Sequence, residues 1–154
     1  KSLNLGVVHL TQEYLRSELP SADELQYCRR HLCELFQAAY PKFPSGCATL
    51  VAIGGTATTA YSLAKKMPVY DPDLVEGGKL FLNELKLLSA QVAACGIRAR
   101  AVDFNLPRGR ADVFLAGLLI LEEELKFLGV DHTLVSDRGL RYGVLESIKT
   151  SLVN

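Results

Sequence analysis

Between Leu50 and Thr59 the chain runs Leu-Val-Ala-Ile into Gly54-Gly55 and then into Thr-Ala-Thr-Thr. A short apolar run that meets two glycines and then hydroxyl residues predicts a strand, Ala48 to Ile53, emptying into a phosphate-sized turn. Two glycines remove the Cβ atoms that would hold a polyanion away from backbone N–H groups, and a helix over Ala57 to Lys66 would aim its positive end at the same place. The continuity of the apolar run predicts burial on both faces, in the middle of an α/β sheet. Ligands of open α/β sheets collect outside the carboxyl ends of strands, which is where Gly54 stands. The turn lacks both the GxGxxG spacing and the lysine of a Walker loop, and a glycine pair kept for sterics alone reads the same way.

The rest of the chain alternates in kind. Leu3, Leu5 and Val7 alternate as on one side of a first strand. Ser21-Ala22-Asp23-Glu24 forms a capping box, and Leu25, Cys28, Leu32, Leu35, Phe36 and Ala39 follow at helical spacing. Pro41, Pro44 and Gly46 interrupt the chain, and Lys66 to Pro72 reads as a loop. Leu80 to Cys95 reads as a helix stopped by Gly96, and Ala111 to Leu128 as a long helix stopped by Gly129. A last strand, His132 to Ser136, leads through Asp137-Arg138-Gly139 into a helix from Leu140.

Four arginines, Arg98, Arg100, Arg108 and Arg110, fall between Ile97 and Asp112 against the single acid Asp103, in a stretch that Pro107 and Gly109 predict to be irregular. Guanidinium forks match phosphate oxygens and keep their charge, so such a loop can line a polyanion groove. Arg98 and Arg100 read instead as a solvated basic loop. Asp112 reads as a helix cap or a partner of Arg110, and Glu122-Glu123-Glu124 as a solvated acidic face, since consecutive carboxylates on one helix do not converge on a metal. Cys28, Cys33, Cys47 and Cys95 show no CxxC pair and read as reduced, mostly buried residues. His9, His31 and His132 are scattered and receive no chemical role.

Three further segments bear on function: Arg110-Ala111-Asp112-Val113-Phe114-Leu115-Ala116-Gly117, Val135-Ser136-Asp137-Arg138-Gly139-Leu140-Arg141-Tyr142-Gly143, and the opening Ser2-Leu3-Asn4-Leu5-Gly6-Val7-Val8. Together with the glycine turn, in order and in approximate spacing, they resemble the exopolyphosphatase and guanosine-pentaphosphate phosphatase family. Its second lobe carries an SLPLGAV-like strand, a GGTATT-like turn, an RAD-x-x-x-AG helix start and an SD-x-GLREG-like ending. The resemblance extends over about residues 2 to 148. Two positions depart from it: Tyr142 stands where the family usually has glutamate, and His9 where arginine is common.

The resemblance implies an α/β fold: an actin-like, ribonuclease-H-like lobe with a mixed sheet and flanking helices, incomplete at its N-terminus. Residues 1–154 would form a single domain, the second lobe of a two-lobed module whose first lobe and opening hairpin are absent. It implies hydrolysis of the terminal phosphoanhydride of inorganic polyphosphate or guanosine pentaphosphate, with Mg²⁺ and a cytoplasmic location. The missing N-terminal lobe is an expected partner, and the resemblance leaves room for a homodimer. Phosphate contacts are expected from Gly54, Gly55, Thr56 and Arg110. Arg138 and Arg141 would either reach phosphate or pair with Asp137 and Glu146. The general base is expected outside the chain, which alone would be inactive. A non-catalytic polyphosphate- or alarmone-binding module and a fragment of an actin-like-fold kinase are the alternatives.

Composition fits such a half-protein. The 154 residues are 49% hydrophobic with 17 basic and 17 acidic side chains, so a broad nucleic-acid or membrane surface is not expected and any polyanion site must be built locally. The longest apolar run, Val113 to Leu121, is far short of the roughly 20 residues that span a bilayer.

Overall fold

A computed structural model of the chain describes residues 3–40, 49–107 and 109–153. In chain order the elements are α1 (Val7–Tyr14), α2 (Ala22–Ala39), β1 (Val51–Ile53), α3 (Gly55–Ala64), α4 (Pro72–Val75), β2 (Gly78–Phe81), α5 (Leu82–Ala93), α6 (Ile97–Asp103), α7 (Ala111–Leu128), β3 (His132–Ser136) and α8 (Leu140–Val153). The strands form a mixed sheet in the order β1-β3-β2, with β1 parallel to β3 and β2 antiparallel to it. Ala52, Leu80 and Val135 turn inward from the three strands, and the helices cover that face.

Helix α7 is the axis of the core and packs against α1, α2, α3, α5 and α6. Phe114, Leu115, Leu118, Leu119 and Leu125 are all buried, and Gly129 ends the helix in the left-handed conformation at φ 66°. The capping box predicted for α2 is present: the Glu24 N–H donates to Ser21 Oγ at 3.2 Å and the Ser21 N–H donates to Glu24 Oε2 at 2.8 Å. Cys28, Leu32 and Phe36 give α2 its buried stripe. Among the described residues, no helix is long and apolar enough to cross a membrane.

Several sequence expectations are corrected. The alternation of Leu3, Leu5 and Val7 does not form a strand; Val7 begins α1, in which Leu10 is fully buried, while Leu3 and Leu5 pack against the core from irregular backbone. Val7, Leu10 and Tyr14 also satisfy helical spacing, and no neighbouring strand engages this segment among the described residues. The strand after residue 48 lies at an edge of the sheet and β3 is central; Val51 and Ile53 are exposed and only Ala52 is buried. Ala48 itself, Cys47 and Arg108 lie outside the described residues.

Leu80 and Phe81 pair with β3 rather than opening α5, because strand pairing overrides local helix propensity. The helix starts where Glu84 reaches back to accept the Phe81 N–H at 2.9 Å. The arginine-rich stretch begins with helix α6, and Arg100 is buried, not solvated. Its Nε donates to the carbonyls of Val92 and Cys95, both at 2.9 Å, closing the end of α5, while Nη2 is buried without a hydrogen-bond partner. Arg98 is exposed as expected. Of the described cysteines, Cys28 is buried, its thiol pushed up to about 11 by desolvation, but Cys33 is exposed and all are free. The acidic run is not a solvated face either, since Glu122 is buried among ion-pair partners.

Candidate functional site

The parallel register sets Ile53 beside Ser136. The next residues of each strand, Gly54 and Asp137, therefore leave the sheet side by side at its carboxyl edge. A cleft of about 610 Å³ opens there. Gly54, Gly55, Thr58 and Thr59 form one wall, Arg110 a second, and Asp137, Gly139 and Tyr142 a third. The loops after α3 and α6 close it with Tyr70 and Asn105.

Gly54 has φ 97° and ψ 171°, a backbone region that L side chains rarely adopt, and it turns the chain straight from β1 into α3. The Thr58 N–H donates to Gly54 O at 3.2 Å, and no side chain caps the helix. The N–H groups of Gly55, Thr56 and Ala57 thus have no acceptor within the helix and stand at its positive end. Such a terminus accepts a phosphate oxygen without further adaptation.

Arg110 is the residue just before α7, and its Nη1 donates to Thr59 Oγ1 at 2.9 Å. A Cβ on Gly55 would lie 2.8 Å from Arg110 Nη2, so glycine at this place lets the guanidinium lie directly on the α3 turn. Arg110 forms no salt bridge among the described residues. Its charge faces the cleft uncompensated at close range, while Thr59 fixes its direction. The expected pairing of Asp112 with Arg110 is not seen; Asp112 is exposed in the first turn of α7, where a negative charge suits the helix dipole.

Thr56 is not among the described residues that line the cleft. Its side chain packs on α7, where a Cβ added to Gly117 would fall 2.5 Å from Thr56 Cγ2 and 2.7 Å from Oγ1. The glycine of the RAD segment thereby lets α3 and α7 approach and brings Arg110 to the turn. Gly117→Ala is expected to lower stability by about 1–3 kcal/mol, as overpacking does. A denaturant titration checks this, and a midpoint equal to that of the parent would refute it.

Asp137, read in sequence as a partner for arginine, lines the cleft together with Tyr70 and Thr58. Desolvation first, then Asp137, raise the Tyr70 pKa and keep its proton in place. Arg138 is not among the residues lining the cleft and, largely exposed, has its Nε 3.8 Å from Glu76 Oε1, while Glu146 pairs with Lys149. Arg141 is on α8, and its side chain lies outside the described residues. Tyr142 lines the cleft, opposite Phe104 and Pro107 of the α6–α7 connection. Thr59, in the hydroxyl run after the glycine pair, and Asp137, directly after an apolar strand, had a sequence signal, whereas Tyr70 reaches the site only through tertiary structure.

The chain matches the Ppx/GppA phosphatase family over residues 1–152. It is 29% identical over 152 residues to exopolyphosphatase 2 of Mycobacterium tuberculosis, covering 96% of this chain and 48% of that protein. It is 28% identical over 156 residues to the bifunctional 3-dehydroquinate synthase/phosphatase of Fusobacterium nucleatum, of which it covers 22%. The crystal structure of the Aquifex aeolicus Ppx/GppA phosphatase superposes with a TM-score of 0.89 at 32% identity, over 96% of this chain and 48% of that one. The chain thus spans half or less of the length of these relatives. Its mixed sheet with flanking helices is the actin-like architecture of those structures. The chain belongs to the Ppx/GppA phosphatase family.

Proposed function

We propose that these residues are the phosphate-holding lobe of a phosphoanhydride hydrolase that removes terminal phosphate from inorganic polyphosphate or guanosine pentaphosphate. The observation that carries this reading is the uncapped start of α3 at Gly54-Gly55 with the unpaired guanidinium of Arg110 lying on it. Backbone N–H groups of Gly55 and Thr56 and the Arg110 fork would hold the transferring phosphoryl group and offset charge on its oxygens during in-line attack by water. The carboxylate that activates that water is proposed to come from a second lobe; among the described residues one acid, Asp137, lines the cleft.

Mg²⁺ fits this donor set in a limited way. No group of three or more metal-ligating side chains occurs among the described residues, but Mg²⁺ commonly takes one or two carboxylates together with substrate phosphates and water. Asp137 would hold an ion brought in with the phosphate chain, which would neutralise phosphate charge. Phosphate release from polyphosphate and from guanosine pentaphosphate, with this chain alone and with the natural gene product containing it, tests the proposal. Release by the gene product only is expected. Turnover by the isolated chain would overturn the assignment of the base elsewhere, and binding without turnover in both would make the protein a sensor.

One feature favours the nucleotide over the bare polymer. Beyond Arg110 the cleft is walled by Leu63, Met67, Pro68, Phe104, Pro107 and Tyr142, a surface that a polyanion cannot use and a nucleobase can. Aromatic stacking on a base is worth about 1–3 kcal/mol. Tyr142→Ala is therefore expected to raise KM for guanosine pentaphosphate about tenfold. KM for polyphosphate should stay unchanged; an equal rise for both substrates would remove the nucleobase reading.

A further inference from the structure

Strands β2 and β3 pair from Phe81↔His132 to Gly78↔Val135, and the last backbone bond of the ladder is the Gly77 N–H donating to Val135 O at 2.9 Å. Continued by one more antiparallel step beyond Gly77, the same register places Glu76 opposite Asp137. Here the backbone ladder ends and a side chain replaces it. The Glu76 carboxylate accepts the Ser136 hydroxyl at 3.0 Å on Oε1 and 2.9 Å on Oε2, and the Asp137 N–H at 3.0 Å on Oε2. Ser136 Oγ in turn accepts the Arg138 N–H at 3.1 Å. Three consecutive residues, the last of β3 and the two that follow it, are thus tied, directly or through one hydroxyl, to a single carboxylate about sixty positions earlier in sequence.

That turn carries Asp137, Gly139 and Tyr142 into the cleft beside Gly54. On its other side lies the short edge strand β1, which ends at Ile53. The Arg138–Glu76 ion pair is long and exposed and contributes little by itself. Charge-assisted bonds to a hydroxyl and a backbone N–H are stronger and directional. We propose that Glu76 is a positioning residue: its carboxylate clasps the Ser136–Arg138 turn and so sets the third wall of the phosphate cleft. This rests on the phosphate-cleft reading given above and extends it to a residue that does not itself line the cleft.

The test uses Glu76→Ala, Glu76→Gln and Ser136→Ala, with the Glu76→Ala/Ser136→Ala double variant, in the natural gene product that contains this chain. Tripolyphosphate affinity is read by calorimetry, turnover by phosphate release, and the Asp137 amide by hydrogen exchange, all well below the unfolding temperature. Glu76→Ala is expected to speed exchange at Asp137 and to weaken tripolyphosphate binding about tenfold, within the range of up to about a hundredfold for a misplaced group. Glu76→Gln, which still offers one acceptor oxygen, should lose less, and it carries the test if the alanine variant does not fold. The double variant should bind no worse than Glu76→Ala, because both changes open the same clasp. A faster Asp137 amide with unchanged affinity and turnover would overturn the proposal, as would full additivity in the double variant. If the parent releases phosphate from neither substrate, the hydrolase reading fails alone. The clasp is then upheld by weakened tripolyphosphate binding and overturned by unaltered binding.

Discussion

Arg110→Ala is expected to cut kcat/KM for phosphate release by about a hundredfold to a thousandfold, the usual loss when one preorganised donor to a developing anion is removed. The size follows from the setting. Arg110 is the one cation that lines the cleft among the described residues, has no carboxylate to neutralise it among them, and is aimed by Thr59 at the turn where three helix N–H groups lack acceptors. Arg110→Lys keeps the charge but loses the planar fork and the approach over Gly55, so it should recover only part of the loss. Folding should change little, since the guanidinium makes one hydrogen bond to a hydroxyl, worth about 0.5–1.5 kcal/mol. Steady-state kinetics on the natural gene product, with unfolding midpoints alongside, make the check. Parent-like kinetics in Arg110→Ala would remove the carrying observation of the proposed function.

The parts of this site that sequence could deliver are those whose chemistry is local. A glycine pair after an apolar run places the turn, and an arginine at a helix start places a charge near a helix end. Their meeting is not local: it needs Gly117 of α7 to admit Thr56 of α3, which brings Arg110 over Gly55 across more than fifty residues. Gly54 and Asp137 become neighbours because β1 and β3 run parallel and end at the same level. Glu76 carried no signal of its own, being one of three acids between Asp71 and Glu76 whose role is decided by its register against β3.

The same division runs through the fold. The capping box of α2, the leucine-rich stripe and terminal glycine of α7, and the apolar run of β3 each specify their element with nearby residues, and each is where the sequence places it. The misses are segments whose state is set by distant partners. Leu80 and Phe81 become strand because β3 is beside them, and α1 forms where it packs on α7. Arg100 looks solvated in sequence, yet its long stem fills the interior while its Nε closes the carbonyls of α5.

The largest stability effect is expected at Glu122, where three helices meet on one buried carboxylate. Arg29 of α2 donates to it through Nη1 at 2.7 Å and Nη2 at 3.1 Å, Lys126 through Nζ at 2.6 Å, and Ser89 of α5 through its hydroxyl at 2.7 Å. Glu123 shares Arg29 and Lys126. Glu122→Ala leaves those donors without their common acceptor and should cost about 3–5 kcal/mol, with Glu123 holding the loss toward the lower end. Measured against a usual total of about 5–15 kcal/mol, that is enough to move the unfolding midpoint far. Burial pushes the Glu122 pKa up, but the bonds from Arg29, Lys126 and Ser89 outweigh it and hold the group below its ordinary value. A carboxylate depressed in the folded state stabilises fully above its unfolded pKa, near 4.5, and that contribution disappears as pH falls through the folded value. Glu124, raised by burial alone, acts in the opposite sense: its desolvated charge costs stability at neutral pH and the cost vanishes on acidification. Urea titrations at pH 7 should therefore rank Glu124→Gln at or above the parent and Glu122→Ala far below it. The gap between Glu122→Ala and the parent should close progressively below about pH 4. A Glu122 variant that keeps the parent's midpoint at pH 7 would mean the cluster's attraction only balances its desolvation, and that α2, α5 and α7 are held together by the apolar core alone.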